Sequence, residues 1–270
     1  MFDLPESTRL LARTHAGLLH YLPMANSHVP APPSDEVEPE RLSTLEERAG
    51  RVAQARARDG DRQPLAVEFA GSPQAGKTTT IEIVHHFFRR MDLKVWAPSE
   101  GASKRTPYHL RRDLVAYNAW ALNYAISELL VAYHNVERQD LVILDRGPFD
   151  SLAWQKVLEG RGDLSRDERD IMHRFALHPR WTRLVSRVYL FTCDPEISLE
   201  RENRSKLTSK GGIVMNPRTL GELLQSYREM SIELAEDYPV FEVQTSDETT
   251  PVTTSLEVAE DILRMFEERL

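Results

Sequence analysis

The chain has 270 residues, 41% of them hydrophobic, with 42 acidic against 34 basic side chains and a net charge of −8. That length suits one large α/β domain with additions, and the acidic balance argues against general nucleic-acid binding. The single cysteine, Cys193, excludes an intramolecular disulfide and a cysteine-cluster metal site. A reducing cytoplasm is then the natural compartment, and no apolar run reaches the length of a signal peptide or a membrane span.

Residues Ser7 to Tyr21 predict a helix with Leu10, Leu11, Leu18 and Leu19 on its apolar side. His15 and His20 beside it read as surface or packed histidines, because no third metal ligand accompanies them. Residues 23–39 are rich in proline and read as an extended linker. Ser43 to Arg58 predicts a second helix, opened by a capping-box-like Ser43-Thr44-Leu45-Glu46-Glu47. Its charges run almost all round, so it is expected to be mostly solvated. Residues 1–63 thus form an N-terminal helical extension ahead of a main domain at 64–270. The extension could pack on the core, mediate oligomers such as a homodimer, or bind a partner.

The main domain opens with Leu65-Ala66-Val67-Glu68-Phe69-Ala70, a short buried strand. The next residues, Gly71-Ser72-Pro73-Gln74-Ala75-Gly76-Lys77-Thr78, have the spacing of the P-loop. Thr78 to Met91 follows as a helix with apolar Ile81, Val84, Phe87 and Phe88. The chemistry of this pattern is direct. Backbone N–H groups of the loop and of the helix start make a nest for phosphate oxygens. Gly71 and Gly76 permit the angles and the close approach. Lys77 brings a cation to the β- and γ-phosphates, and Thr79, two residues on, is read as phosphate-binding with the loop residues Ser72, Gln74 and Ala75. The Thr78 hydroxyl suits Mg²⁺, which takes hard oxygen ligands.

A second strand is expected over 93–98, ending in Ser99-Glu100-Gly101. Tyr108 to Asn135 reads as one long helical region, and Asp140 to Leu144 as a third strand that runs into Asp145-Arg146-Gly147. Helices follow over 151–158 and 163–177, a fourth strand over 187–192, and a helix after Asp194-Pro195-Glu196 that carries Arg201, Arg204 and Lys206 before Gly211-Gly212. A helix over 220–235, a fifth strand over 240–243 and a closing helix over 254–269 complete the chain. Strands alternating with helices predict a doubly wound parallel sheet, whose ligands bind at the carboxyl ends of strands.

Asp145 follows an apolar run, the position at which a carboxylate holds Mg²⁺; capping of the next helix is the alternative. Arg146 cannot point the same way as Asp145 in an extended chain. It suits the acceptor or the transferring phosphoryl, against the alternative of a surface arginine paired with Asp150. Glu100 suits a base for an acceptor hydroxyl or a Mg²⁺ ligand, and a solvated loop acid otherwise. Arg201 and Arg204 are three apart and share a helix face. With Lys206 and Lys210 they read as a basic lid that closes over ATP, or else as a solvated helix end.

These motifs resemble the thymidylate kinase and deoxyribonucleoside kinase family of P-loop kinases. The matching pieces are Gly71 to Thr78, Ser99-Glu100-Gly101, Asp145-Arg146-Gly147, Asp194-Pro195-Glu196 with Leu199 and Arg201, and the basic stretch Arg201 to Lys210, spanning about residues 65–265. The resemblance implies a P-loop NTPase-type doubly wound sheet of five parallel strands with a helical lid. It implies transfer of the γ-phosphoryl of ATP, with Mg²⁺, to a nucleoside or nucleoside monophosphate. It places the base on Glu100 and the assisting arginine on Arg146, and a base-reading amide near Asn118, with Trp120 and Arg105 on the acceptor side. The chain departs from the family pattern at Pro73 and Gln74, at Glu100-Gly101 in place of Glu-Pro, and at Gly147 in place of Ser or Tyr. These departures bear on the acceptor. Other small-molecule hydroxyls, a polynucleotide end and a regulatory NTPase switch stay open, and no Asn-Lys-x-Asp motif points to guanine.

Overall fold

The computed structural model describes residues 39–59, 63–98, 104–135, 138–205 and 214–270. The predicted helix over 7–21, Glu100, and Lys206, Lys210 and Gly211-Gly212 lie outside the described residues. Five parallel strands form one sheet in the order β2-β3-β1-β4-β5. They are β1 (Leu65–Gly71), β2 (Val95–Trp96), β3 (Leu141–Asp145), β4 (Val185–Thr192) and β5 (Val240–Gln244). The helices are α1 (Pro39–Arg58), α2 (Lys77–Arg90), α3 (Leu114–His134), α4 (Pro148–Arg161), α5 (Arg166–Ala176), α6 (Pro179–Thr182), α7 (Pro195–Ser205), α8 (Pro217–Glu233) and α9 (Pro251–Glu267).

Central strands buried on both faces need apolar residues throughout, and β1 and β3 have them. Along β1, Leu65, Val67 and Phe69 point to one layer, against Val84 and Phe88 of α2 and Ile262 and Phe266 of α9. Ala66 and Ala70 point to the other, against Leu122 and Leu129 of α3, Leu152 of α4 and Tyr227 of α8. The small side chains at 66 and 70 let α4 approach the sheet closely. Phe69 pairs in register with Asp145, so the loops after β1 and β3 leave the sheet side by side.

Several boundaries differ from expectation for local reasons. The second strand shrinks to Val95–Trp96, an edge strand paired only with β3. The long helical region divides at Asp113. That residue is extended, and its carboxylate accepts from the Val115 and Ala116 amides as an N-cap, behind a short 3₁₀ turn at Tyr108–Arg112. Helix α4 begins three residues early because Pro148 suits the first helical position.

The second predicted helix corrects the expectation of a mostly solvated segment. Leu45, Ala49, Val52 and Arg56 form a buried stripe on α1, and the first three join the α2–α9 layer. Arg41 grips Glu260 at 2.7 and 2.8 Å, and Arg48 grips Glu267 at 2.9 and 2.8 Å. Arg56 is buried; it donates to Asp140 at 3.2 Å and to the Gln63 carbonyl at 2.8 Å, with its guanidinium over Phe266. Asp140 in turn accepts from the Lys94 amide at 2.8 Å. Although the boundary was expected at residue 63, the described part of the extension belongs to the same compact unit as the sheet.

Candidate functional site

The loop between β1 and α2 is shaped by where its carbonyls go. Gly71 has φ 122°, and a Cβ there would lie 1.9 Å from the Phe191 carbonyl oxygen, so no other residue fits. The Ser72 amide donates to that same oxygen at 2.9 Å. The next three carbonyls are held from outside. Ser198 Oγ donates to Pro73 O at 3.0 Å, Arg201 Nη1 to Gln74 O at 3.1 Å, and Thr245 Oγ1 to Ala75 O at 3.3 Å. A trans peptide points its N–H opposite its C=O, so the amides of Gln74 and Gly76 turn to the inside of the loop. The Ala75 amide closes back on Ser72 O at 3.4 Å. Lys77 Nζ donates to Gly71 O at 3.0 Å and Ser72 O at 2.6 Å.

Asp145 ends β3, and Arg146 follows with φ 63°. That left-handed residue breaks the alternation of an extended chain, so Asp145 and Arg146 line the same cavity, contrary to the expectation that they diverge. The Arg146 amide donates to Phe69 O at 3.0 Å. Its Nη1 donates to Asp150 at 2.8 and 3.0 Å and to Gly71 O at 3.3 Å. The pairing with Asp150 is therefore real, and it lies in the cavity wall.

Glu68 was read only as part of a buried strand. Its carboxylate is fully buried and accepts from three amides at the start of α4: Gly147 at 2.9 Å, Phe149 at 3.1 Å and Asp150 at 2.8 Å. A Cβ at Gly147 would sit 2.5 Å from Glu68 Oε2, which accounts for glycine where Ser or Tyr was expected. Burial pushes the Glu68 carboxyl up to about 8, the Asp150 charge adds to this, and the three amides oppose it. One signal could have found this residue: a carboxylate inside an otherwise apolar strand needs a partner.

A cavity of about 480 Å³ runs from the loop to a space between α3 and α4. Gln74, Gly76, Lys77, Thr78 and Thr79 line one end, with Asp145, Arg146, Asp150 and Glu202 beside them. The far end is mostly apolar: Leu114, Tyr117 and Ala121 of α3, Trp154 and Leu158 of α4, and Val214 and Met215 before α8. Asn118 and Ser151 are polar there. Asn118 donates to Ser151 O at 3.1 Å and accepts from Gln155 Nε2 at 3.0 Å, which fixes its amide and leaves one N–H and one lone pair.

Other expected site residues lie elsewhere. Ser72 and Ala75 are buried behind the loop, and Gly71 braces it without lining the cavity. Arg201 also donates to Ser246 O at 2.6 Å, so it supports the loop from outside. Arg204 is exposed and pairs with Glu200. Between them, Glu202 lines the cavity and accepts from Gln74 Nε2 at 2.7 Å. Trp120 stacks on Tyr124 at 5.3 Å, away from the cavity that Trp154 lines. Arg105 is exposed and is not part of the cavity wall.

No protein-family model matches the chain, and no curated protein matches it at a significant level. Solved structures of deoxyadenosine kinase from M. mycoides are similar to it. One has bound dCTP (TM-score 0.52, 16% identity), one has bound dATP (0.52, 15%) and one has the products dCMP and a flexible dCDP (0.53, 16%). Each covers 74% of this chain and 100% of its own. The fold expected from the sequence, a P-loop kinase sheet of five parallel strands flanked by helices, is the fold observed.

Proposed function

We propose that this chain is a Mg²⁺-ATP-dependent kinase that transfers the γ-phosphoryl group to a hydroxyl of a small, uncharged, nucleoside-like acceptor. One observation carries this reading: a phosphate nest with its lysine opens into the same cavity as Asp145, Arg146 and an aromatic chamber. The likeness to deoxyadenosine kinase structures supports the acceptor class. Charge supports it as well. Among the described residues that line the cavity, the cations are Lys77 and Arg146, and Arg146 is paired with Asp150. Among the described residues, the far chamber carries no cation to meet an acceptor that already bears a phosphate.

In this mechanism the inward amides and Lys77 hold the β- and γ-phosphates of ATP. Lys77 leaves Gly71 O and Ser72 O to do so, exchanging carbonyls for phosphate oxygens. Thr78 and Asp145 would hold Mg²⁺, which would supply positive charge against the phosphates when bound. The fit is good: both offer hard oxygens to one cavity, and a nucleotide-bound Mg²⁺ needs few protein ligands. Arg146 spreads its charge over the transferring oxygens, and Trp154, Tyr117 and Asn118 hold the acceptor. Glu100 is assigned the acceptor proton on the family resemblance alone. Among the described residues no helix is long and apolar enough to cross a membrane. A cytoplasmic setting goes with the free, buried Cys193.

The test is incubation of the full chain with Mg²⁺-ATP and a panel of nucleosides, deoxyadenosine first, with and without Lys77→Ala. Phosphorylated product from the parent, and a loss of roughly 10²-fold or more in the variant, are expected. Equal activity of the two proteins, or ADP release that no acceptor changes, overturns the reading.

A further inference from the structure

The proposed function leaves Asp150 unassigned. It is buried in the first turn of α4, where a carboxylate usually serves the orphan amides of the helix. Here Glu68 already takes those amides. The Asp150 carboxylate is thereby released from capping and turns to other partners. It accepts from Arg146 Nη1 at 2.8 and 3.0 Å, from the Tyr227 hydroxyl of α8 at 2.5 Å, and from the Gly71 amide at 3.3 Å. Arg146 Nη1 also reaches the Gly71 carbonyl at 3.3 Å, and Lys77 sits on that same oxygen at 3.0 Å. The Arg146–Asp150 pair thus grips Gly71 through both its N–H and its C=O, which belong to successive peptides.

The hydroxyl at 227 has a directional part in this. Tyr227 is fully buried, and burial with the nearby Asp150 charge raises its pKa well above the ordinary value, so it stays a donor. Its hydrogen bond fixes one Asp150 oxygen, and the two oxygens together hold Arg146 by its Nη1.

We propose that Asp150 and Tyr227 are positioning residues for phosphoryl transfer, acting through Arg146, whose guanidinium they hold at the seam between the phosphate nest and the acceptor chamber. This rests on the reading of Arg146 as the residue that meets the transferring group. A guanidinium anchored in advance has no conformations to lose as the transition state forms, whereas an unanchored one does. Substrate affinity should be nearly indifferent to the anchor, since the nest and Lys77 hold ATP.

The experiment is steady-state kinetics on the full chain with Mg²⁺-ATP and the best acceptor of the nucleoside panel, in single and double variants. Asp150→Asn should lower kcat by roughly 100-fold and Tyr227→Phe by roughly 10-fold, with KM for ATP changed less than about twofold. In an Arg146→Ala background, either change should cost less than about twofold more, because their route to the chemistry is already gone. A thermal melt accompanies each variant. If Asp150→Asn does not fold, Tyr227→Phe, which removes a single oxygen, decides the matter alone. Full additivity with Arg146→Ala, or a rise in KM at constant kcat, overturns the proposal and leaves the kinase reading standing. An Arg146→Ala variant as active as the parent overturns the role of Arg146 and this proposal together. A parent chain without phosphotransfer overturns the function first.

Discussion

Replacing Arg201 with alanine separates two roles that the same residue could have. As a lid residue touching the transferring phosphoryl, it would act on kcat. As a brace, it acts on nucleotide affinity, because its Nη1 holds Gln74 O outward at 3.1 Å and its Nη2 holds Ser246 O at 2.6 Å. A hydrogen bond from a charged donor contributes about 1.5–3 kcal/mol. Two bonds bear on the loop: the one to Gln74 O, and one from the same Nη1 at 3.3 Å to Thr245 Oγ1, the hydroxyl that holds Ala75 O and so turns the Gly76 amide inward. Losing the equivalent of one such contribution through these two contacts raises the dissociation constant for Mg²⁺-ATP by about 10- to 150-fold. The contact with Ser246 acts on stability, where a kcal/mol is about 2–4 °C in Tm for a domain of this size. The pair with Asp247, at 3.9 Å and half-exposed, adds little. Calorimetric titration of Mg²⁺-ATP, followed by kcat at saturating ATP, reads both quantities. An unchanged dissociation constant with a kcat reduced more than 30-fold, by the same measurement of roughly tenfold per 1.4 kcal/mol, would refute the brace and restore the lid.

Gly147→Ala drives a methyl group to within 2.5 Å of a carboxylate that three amides hold in place. We expect a loss of about 1–3 kcal/mol in urea unfolding, and unchanged stability would show that Glu68 is free to move. His173 supplies a pH-dependent term. Burial first, and then the Arg169 charge, lower its pKa to about 4 from an ordinary 6.5. The native state therefore keeps it neutral where the unfolded chain takes up a proton, and its stabilising contribution is present above pH 6.5 and fades as pH falls toward 4. His173→Gln should flatten that part of a Tm-against-pH series, and parallel curves for variant and parent would contradict it.

The loop, its lysine and the acid at the end of β3 were legible because each demands a residue type at a set spacing beside a strand. The contents of the acceptor chamber were less so. Trp120 stands two residues from Asn118, about 200° round a helix, and so could not share its face. Trp154 lies three residues after Ser151 and four before Leu158, on one stripe, and the helical period alone would have favoured it. The brace on the P-loop was out of reach, because Ser198, Arg201 and Thr245 meet Pro73, Gln74 and Ala75 across more than a hundred residues of chain. Glu68 was hidden by its strand. The apolar neighbours that announced β1 made its one charge look incidental, although Ala66 and Ala70 on the same side leave the room that α4 needs.

The link from Arg56 to Asp140 reaches beyond this one chain. An acid at the head of a central strand, its side chain 3% exposed, is tolerable because a cation from α1 meets it. Shortening the protein to begin at the first strand would strand that anion, at a cost of about 3–5 kcal/mol. In a relative without the leading helix, the Lys94 amide would remain as a partner for the acid but the buried cation would be gone. The two traits should be inherited as a pair, and an aligned set of sequences in which they assort independently would show that the helix was added for some other purpose.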